Sequence, residues 1–184
     1  YTTLFRSGVS EENVEVGDHG ILASRVFTSA TALINVRPMR THNWSGVGSC
    51  IKNYIMFHPN PPRWHPDSCA DLAGLWDLPG VKGKTRLNIL VMLTPLFHSK
   101  GPHDYSPRYV WPYKGLIVST DPVAADATGL RVLEARRREF FGKDQPFEVP
   151  PKHIAVAEQK FGLGVADPAR IELVKLGWSE GALI

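Results

Sequence analysis

Between residues 40 and 53 the chain gathers groups suited to holding an anion. Arg40, His42 and Lys52 supply positive charge or N–H donors around the glycine-bearing run Ser45-Gly46-Val47-Gly48-Ser49. Val47, Cys50, Ile51 and Tyr54 recur at helical spacing, which predicts a helix from this run to about Met56. A helix start has unpaired amide hydrogens and a partial positive charge, and Gly46 and Gly48 would leave both accessible to a small anion. The spacing is neither a Walker loop nor a dinucleotide fingerprint. Two glycines that simply permit a tight turn are the plainer reading. Lys52 and Asn53 fall off the apolar stripe of that helix, towards solvent or a second cavity.

Histidine is the other reactive type in excess. Five of the seven, His42, His58, His65, His98 and His103, lie between residues 42 and 103. Together with Cys69, Asp67, Asp71 and Asp104 they include the ligand types of a transition-metal site. No pair has the His-Glu-x-x-His spacing of a helical zinc site, and a structural or surface role is the commoner fate of a single histidine. His65 and His42 are the candidates for proton transfer, since imidazole titrates near neutrality. Asp126 stands out for its position. Val123, Ala127, Leu130 and Leu133 define an apolar helix face, and the three-and-four rule puts Asp126 on it. A carboxylate facing a core needs partners. Either it ties its helix to backbone amides or to a base such as Arg40 or Lys52, or it lines a site at the edge of a sheet.

The elements that must position these groups read as alternating strands and helices. Residues 1 to 20 are polar with weak periodicity and predict a weakly structured leading segment. Ala32-Leu33-Ile34-Asn35-Val36 reads as a buried strand stopped by Pro38. After the helix expected at 47–56 comes the proline-rich loop His58-Pro59-Asn60-Pro61-Pro62, then a helix from Asp67 to Leu78 ended by Pro79-Gly80. Arg86 to Leu93 reads as a second strand, residues 98 to 114 as a long loop, and Gly115 to Ser119 as a third strand. Asp121-Pro122 marks a helix start, with the aspartate as cap and proline in the first turn, and that helix runs to about Phe140. A further helix spans His153 to Phe161 and stops at Gly162, and Ala169 to Leu176 reads as a last strand. This alternation predicts one α/β domain over 1–184, with a mixed or mostly parallel central sheet and helices on its faces. In such sheets ligands gather beyond the carboxyl ends of the strands.

Composition narrows the classes. The chain has 184 residues, 43% hydrophobic and 21% charged, with a net charge of +3, which suits a globular domain. The apolar run Leu87 to Phe97 is broken by Asn88, Thr94 and Pro95, so no membrane span is expected. Arg136, Arg137 and Arg138 read as a solvated helix face, and without aromatic-interleaved basic stripes no nucleic-acid role is expected. Two cysteines, Cys50 and Cys69, exclude a complete four-cysteine cluster or zinc site within the chain. Read as free thiols, they favour a cytoplasmic setting.

From Thr31 to Gly177 the sequence resembles the family known as domain of unknown function 362. The resemblance is carried by Ala32-Leu33-Ile34-Asn35-Val36 leading to Arg40-Thr41-His42, then by Gly48 and Ile51-Lys52-Asn53. His65, Ala70-Asp71-Leu72 and Gly101-Pro102 follow, then Ser119-Thr120-Asp121-Pro122-Val123-Ala124-Ala125-Asp126, His153-Ile154 and Gly162-Leu163-Gly164. Members of that family often carry a fused ferredoxin-like module and are described as iron–sulphur-cluster binding for that reason. No cysteine-rich module is present here, so the resemblance implies no cluster in this chain, though it does suggest a ferredoxin-like partner. Arg40 stands where the family usually has lysine, a change compatible with an anion contact but not with amine chemistry. Met92 stands where the family tends to have aspartate. The family's leading strand is expected upstream of this chain, which predicts a shortened N-terminus.

Taken together, the residues predict a polar cleft made by Arg40, His42, Gly46, Gly48, Lys52, Asn53, His65, Asp121 and Asp126. It would take a small anionic ligand or a metal and act in redox or ligand-transfer chemistry. The alternative is a non-catalytic accessory or assembly domain in which the same residues only stabilise the fold.

Overall fold

The computed structural model describes residues 9–16, 19–24, 29–58, 60–77, 81 and 83–184, the first two stretches by their backbone. Strands β1 (Val9–Val16) and β2 (His19–Ser24) pair antiparallel, so much of the leading segment expected to be weakly structured is a two-stranded ribbon. The central sheet comprises β3 (Leu33–His42), β4 (Gly46–Gly48), β5 (Thr85–Leu96) and β6 (Gly115–Ser119), in the order β4-β3-β5-β6. β3 and β5 are parallel, while β4 and β6 run antiparallel to their neighbours. The sheet is therefore mixed.

The parallel pair needs a crossover, which residues 49 to 84 provide through short helical turns: 3-10 turns at Asn53–Phe57, Pro61–Trp64 and Ala70–Asp77, and the single turn α1 (Pro66–Cys69). Beyond β6 comes the long helix α2 (Pro122–Phe141), and later the short helix α3 (Lys152–Gln159). Asp121 caps α2 by accepting the amide hydrogens of Val123 and Ala124, and Gly142 ends it at φ +68. No helix among the described residues is long and apolar enough to cross a membrane.

One face of the sheet carries the core. Met39, Leu90 and Met92 are buried there, and α2 seats so closely that a methyl group on Gly129 would run into the Leu90 side chain. Among these apolar residues sits a polar ladder. Asn35 donates to the Asn88 carbonyl at 2.9 Å and to the backbone carbonyl of Cys50 at 3.1 Å, while Asn88 donates to the carbonyls of Ser119 and Thr120. The other face is apolar but open. Ile34, at 64% exposure, lies on it with Val36, Leu93, Leu116 and Val118. The register aligns Val36, Ile89 and Val118 in one row and Pro38, Val91 and Leu116 in the next.

Three further expectations are corrected. No helix runs over 47–56: Gly46 takes φ +72 and turns the chain back as β4, and the 3-10 turn begins only at Asn53. Val47, Cys50, Ile51 and Tyr54 are all buried, but because the loop wraps beneath the sheet rather than by helical periodicity. Pro38 does not stop its strand. β3 continues to His42, and Pro38 lies where β3 is paired on the β5 side alone, since β4 joins only from Arg40 onward. Finally, 169–176 forms no strand. A 3-10 turn at Pro168–Arg170 leads into an unpaired tail that passes β6 across a hollow of about 550 Å³, and Trp178 ends 98% exposed. The helix stop expected at Pro79-Gly80 lies outside the described residues.

Candidate functional site

Strand β3 delivers Arg37, Arg40 and His42 along one edge of the crossover. β4 then returns antiparallel, bringing Gly48 opposite Arg40. With no side chain on Gly48, the Arg40 guanidinium and the His42 ring both fold over it: a Cβ there would lie 3.5 Å from Arg40 Nε and 3.8 Å from His42 Cδ2. The turn after β4 swings Lys52 inward, away from solvent, the first of the two directions its sequence position allows. Lys52 is only 4% exposed. Its Nζ finds the Cys69 Sγ at 3.9 Å, and the thiol in turn donates to the Trp44 carbonyl at 3.5 Å. Cys69 reaches that position because Asp67, Ser68 and Cys69 all take left-handed backbone conformations, at φ 49, 58 and 62. Non-glycine residues rarely do this in succession. His65 closes the group, its ring 4.3 Å from that of Trp44.

The electrostatics of this group are one-sided. Burial lowers the pKa of Lys52, and Arg37 and Arg40 lower it further, against a smaller opposing effect of Cys69. Burial also lowers Arg37 and Arg40. His42 is pushed down to about 3, first by burial and then by Lys52, Arg40, His65 and Arg37. It does not titrate near neutrality as the sequence suggested. Its Nδ1 accepts the Trp44 amide hydrogen at 3.2 Å, so the ring is neutral with its proton on Nε2. His65 is lowered too, by burial and by Lys52. Among the described residues, every ion pair of the fold lies elsewhere, and none gives Arg37, Arg40 or Lys52 a carboxylate.

The remaining predicted residues have other neighbours. Asn53 donates to the Asn35 side-chain carbonyl at 2.7 Å and accepts from Arg37 at 3.4 Å, which links the cationic group to the polar ladder. Asp126 is fully buried; it accepts from the Ser49 hydroxyl at 2.6 Å and from the amides of Cys50 and Ile51 at 2.8 Å each. Burial still raises its carboxyl to about 6, against those hydrogen bonds. Asp121 sits at the opposite end of the sheet, after the β6 residue that pairs with Asn88. Both its oxygens are taken, one by the α2 cap and the other by the Val165 amide at 2.8 Å. Gly46 lines no helix start; a methyl there would collide with the Val149 carbonyl.

Beyond the carboxyl ends of β3 and β5 lies a hollow of about 770 Å³, bounded by His42, Gly46, His98, Lys100, Arg137 and Glu148 among others. It meets the cationic group at His42. Arg137 acts there as a bracket, donating to the carbonyls of Phe97, Gln145 and Pro146 and so fixing the segment after α2. The histidines disperse: His58 packs edge-on to Trp64, and His98 lies 3.1 Å from Arg137. The side chain of His103 lies outside the described residues. Among those described, no three His, Cys, Asp or Glu side chains meet in a way that would hold a metal ion.

Sequence reasoning did not place Arg37, Trp44, Ser49 or His153 in the site, although Ser49 belongs to the glycine-bearing run and His153 to the family resemblance. His153 is buried with its Nε2 3.5 Å from Ser49 Oγ, and burial with Lys52 nearby pushes it to about 3. Arg37, Asn35 and Asn88 did leave a signal, since each interrupts an otherwise apolar strand.

No curated protein and no solved structure matches the chain. A family profile does, over residues 4–131, a stretch that contains the whole cationic group and ends within α2. By that match the chain belongs to the family named domain of unknown function (DUF362).

Proposed function

We propose that the chain binds a small anion, through a carboxylate or phosphate group, at the cluster of Arg37, Arg40 and Lys52 with His42 and His65. The observation that carries this reading is Lys52. A buried ammonium without a counter-charge is costly, and among the described residues no carboxylate pairs with it; its Nζ has the Cys69 thiol at 3.9 Å. Two arginines beside it add planar, multi-donor groups suited to carboxylate or phosphate oxygens. An anion placed among them would offset the charge that now lowers Lys52. His42, neutral with its proton on Nε2, would serve as donor rather than general base. The adjoining hollow gives room for the rest of a ligand.

The test is thermal denaturation at low ionic strength with inorganic phosphate, pyrophosphate and simple dicarboxylates. A melting temperature that rises with anion concentration in the native chain, and no longer does so in Arg40→Ala and Lys52→Met, supports the site. Equal rises in all three proteins, or none in any, would refute it.

A second reading, a non-catalytic accessory domain, is favoured by one specific observation. Asp121, Asp126 and Asn53 spend their hydrogen bonds on the fold itself. Under it, the same titration gives no anion-dependent shift.

A further inference from the structure

We propose that Lys52 and Cys69 form a covalent nitrogen–sulphur cross-link when the chain meets a peroxide, and that a thiol reductant reopens it. The two groups are matched in position. Lys52 Nζ lies 3.9 Å from Cys69 Sγ, both residues are buried, and Cys69 is the polar partner of Lys52. The thiol is held from its other side by its bond to the Trp44 carbonyl, so the sulphur presents its free electron pairs to the amine. The chain is bent to make this contact, with left-handed backbone from Asp67 to Cys69. The second thiol, Cys50, lies against Asp126 instead.

The chemistry closes. Peroxide oxidises the thiol to a sulphenic acid and is itself reduced to water. The Lys52 amine then attacks the sulphur. The N–S bond forms, the S–O bond breaks, and the departing hydroxide leaves as water with a proton from the nitrogen. Two equivalents of an added thiol return the free amine and the free Cys69 thiol and become a disulphide. Burial favours the second step in two ways. It lowers the lysine, which eases loss of the proton the amine must shed before it attacks, and it raises the cysteine, so the thiolate is scarce. It also keeps out the bulk water and large thiols that would otherwise compete for a sulphenic acid. The first step is correspondingly slow and depends on local opening of α1, which admits a molecule little larger than water.

The cross-link would remove the charge of Lys52, so peroxide would switch off anion binding; that consequence, though not the bond itself, rests on the function proposed above. The experiment treats the native chain with hydrogen peroxide, digests it without reductant, and maps linked peptides by mass. The expected product joins the peptides containing Lys52 and Cys69 with the loss of two hydrogen atoms, and disappears after dithiothreitol. Lys52→Arg, which keeps the charge but not the amine, should instead carry a Cys69 sulphenic acid that dimedone captures when the chain is unfolded in its presence. Sulphinic acid at Cys69, or a Cys50–Cys69 disulphide, with no Lys52-linked peptide in the native chain would overturn the proposal. Phosphate titration of the reduced chain is run separately. A cross-link in a chain that never bound phosphate would refute the anion site and leave the cross-link standing.

Discussion

Asp126, one turn into α2, and Ser49, the residue after β4, meet at 2.6 Å in the closed interior. The same carboxylate takes the amides of Cys50 and Ile51, so the helix and the turn that carries Lys52 are fastened together. Asp126→Ala would leave two buried amides and a hydroxyl without acceptors, at about 1–3 kcal/mol for each orphaned group. A loss of about 3–5 kcal/mol in urea denaturation is expected, and Asp126→Asn, with one oxygen retained, should lose roughly half of that. A loss below about 1 kcal/mol would show that the turn finds other acceptors.

The pH dependence of stability sets this carboxyl against two imidazoles. Asp126 is raised from 3.8 to about 6, worth about 3 kcal/mol. Its contribution is full below pH 3.8 and is lost as pH rises through 6. His42 and His153 are lowered from 6.5 to about 3. Their contribution is present above 6.5 and is lost as pH falls through 3. Each imidazole is displaced further than the carboxyl and there are two of them, so stability should climb between pH 4 and 6.5. Denaturation midpoints across that range should climb less steeply in His153→Gln and more steeply in Asp126→Asn. A maximum near pH 4 would contradict neutral, buried imidazoles.

Asp121 offers a test of what belongs to the site. Its two oxygens cap α2 and hold the Val165 amide. Asp121→Ala should cost about 1–2 kcal/mol, yet leave the phosphate titration of the folded chain unchanged. A weakened phosphate response at full folding would return Asp121 to the binding group.

Gly46 tests the reversal between β3 and β4. It combines φ +72 with close approach to the Val149 carbonyl and the Pro151 nitrogen. Gly46→Ala adds both left-handed strain and a backbone collision, for a loss of at least about 2 kcal/mol. Gly142→Ala, also at positive φ but with open space around it, should lose only about 1 kcal/mol. Equal losses would mean that conformation alone, rather than contact, governs Gly46.

Where local chemistry decides structure, the sequence was readable. The third strand falls at Gly115–Ser119 as expected, and Asp121-Pro122 opens α2 because cap and proline act within a few residues. The errors have a common cause in distant partners. The three-and-four spacing of Val47, Cys50, Ile51 and Tyr54 reports burial, and a loop pinned by Asp126 from 75 and 76 residues away buries side chains as well as a helix does. Pro38 is tolerated because of which neighbour β3 lacks there, a fact of sheet order. The tail at 169–176 has strand-like composition but no strand among the described residues bonded to it. For the candidate site, Arg40, His42, Lys52 and His65 were identifiable as charged or donor residues, whereas the inward turn of Lys52 follows from the reversal at β4, and the place of Cys69 beside it from a left-handed backbone at Asp67 to Cys69 that no residue type there announces.

The open sheet face has a practical side for the isolated chain in solution. Its two aligned rows of Val, Ile, Leu and Pro present an uncharged surface, and a net charge of only +3 gives little long-range repulsion to keep such surfaces apart. Sulphate salts, which strengthen apolar association, should therefore drive turbidity at lower protein concentration than chloride does, and Val36→Lys with Leu116→Glu should delay it.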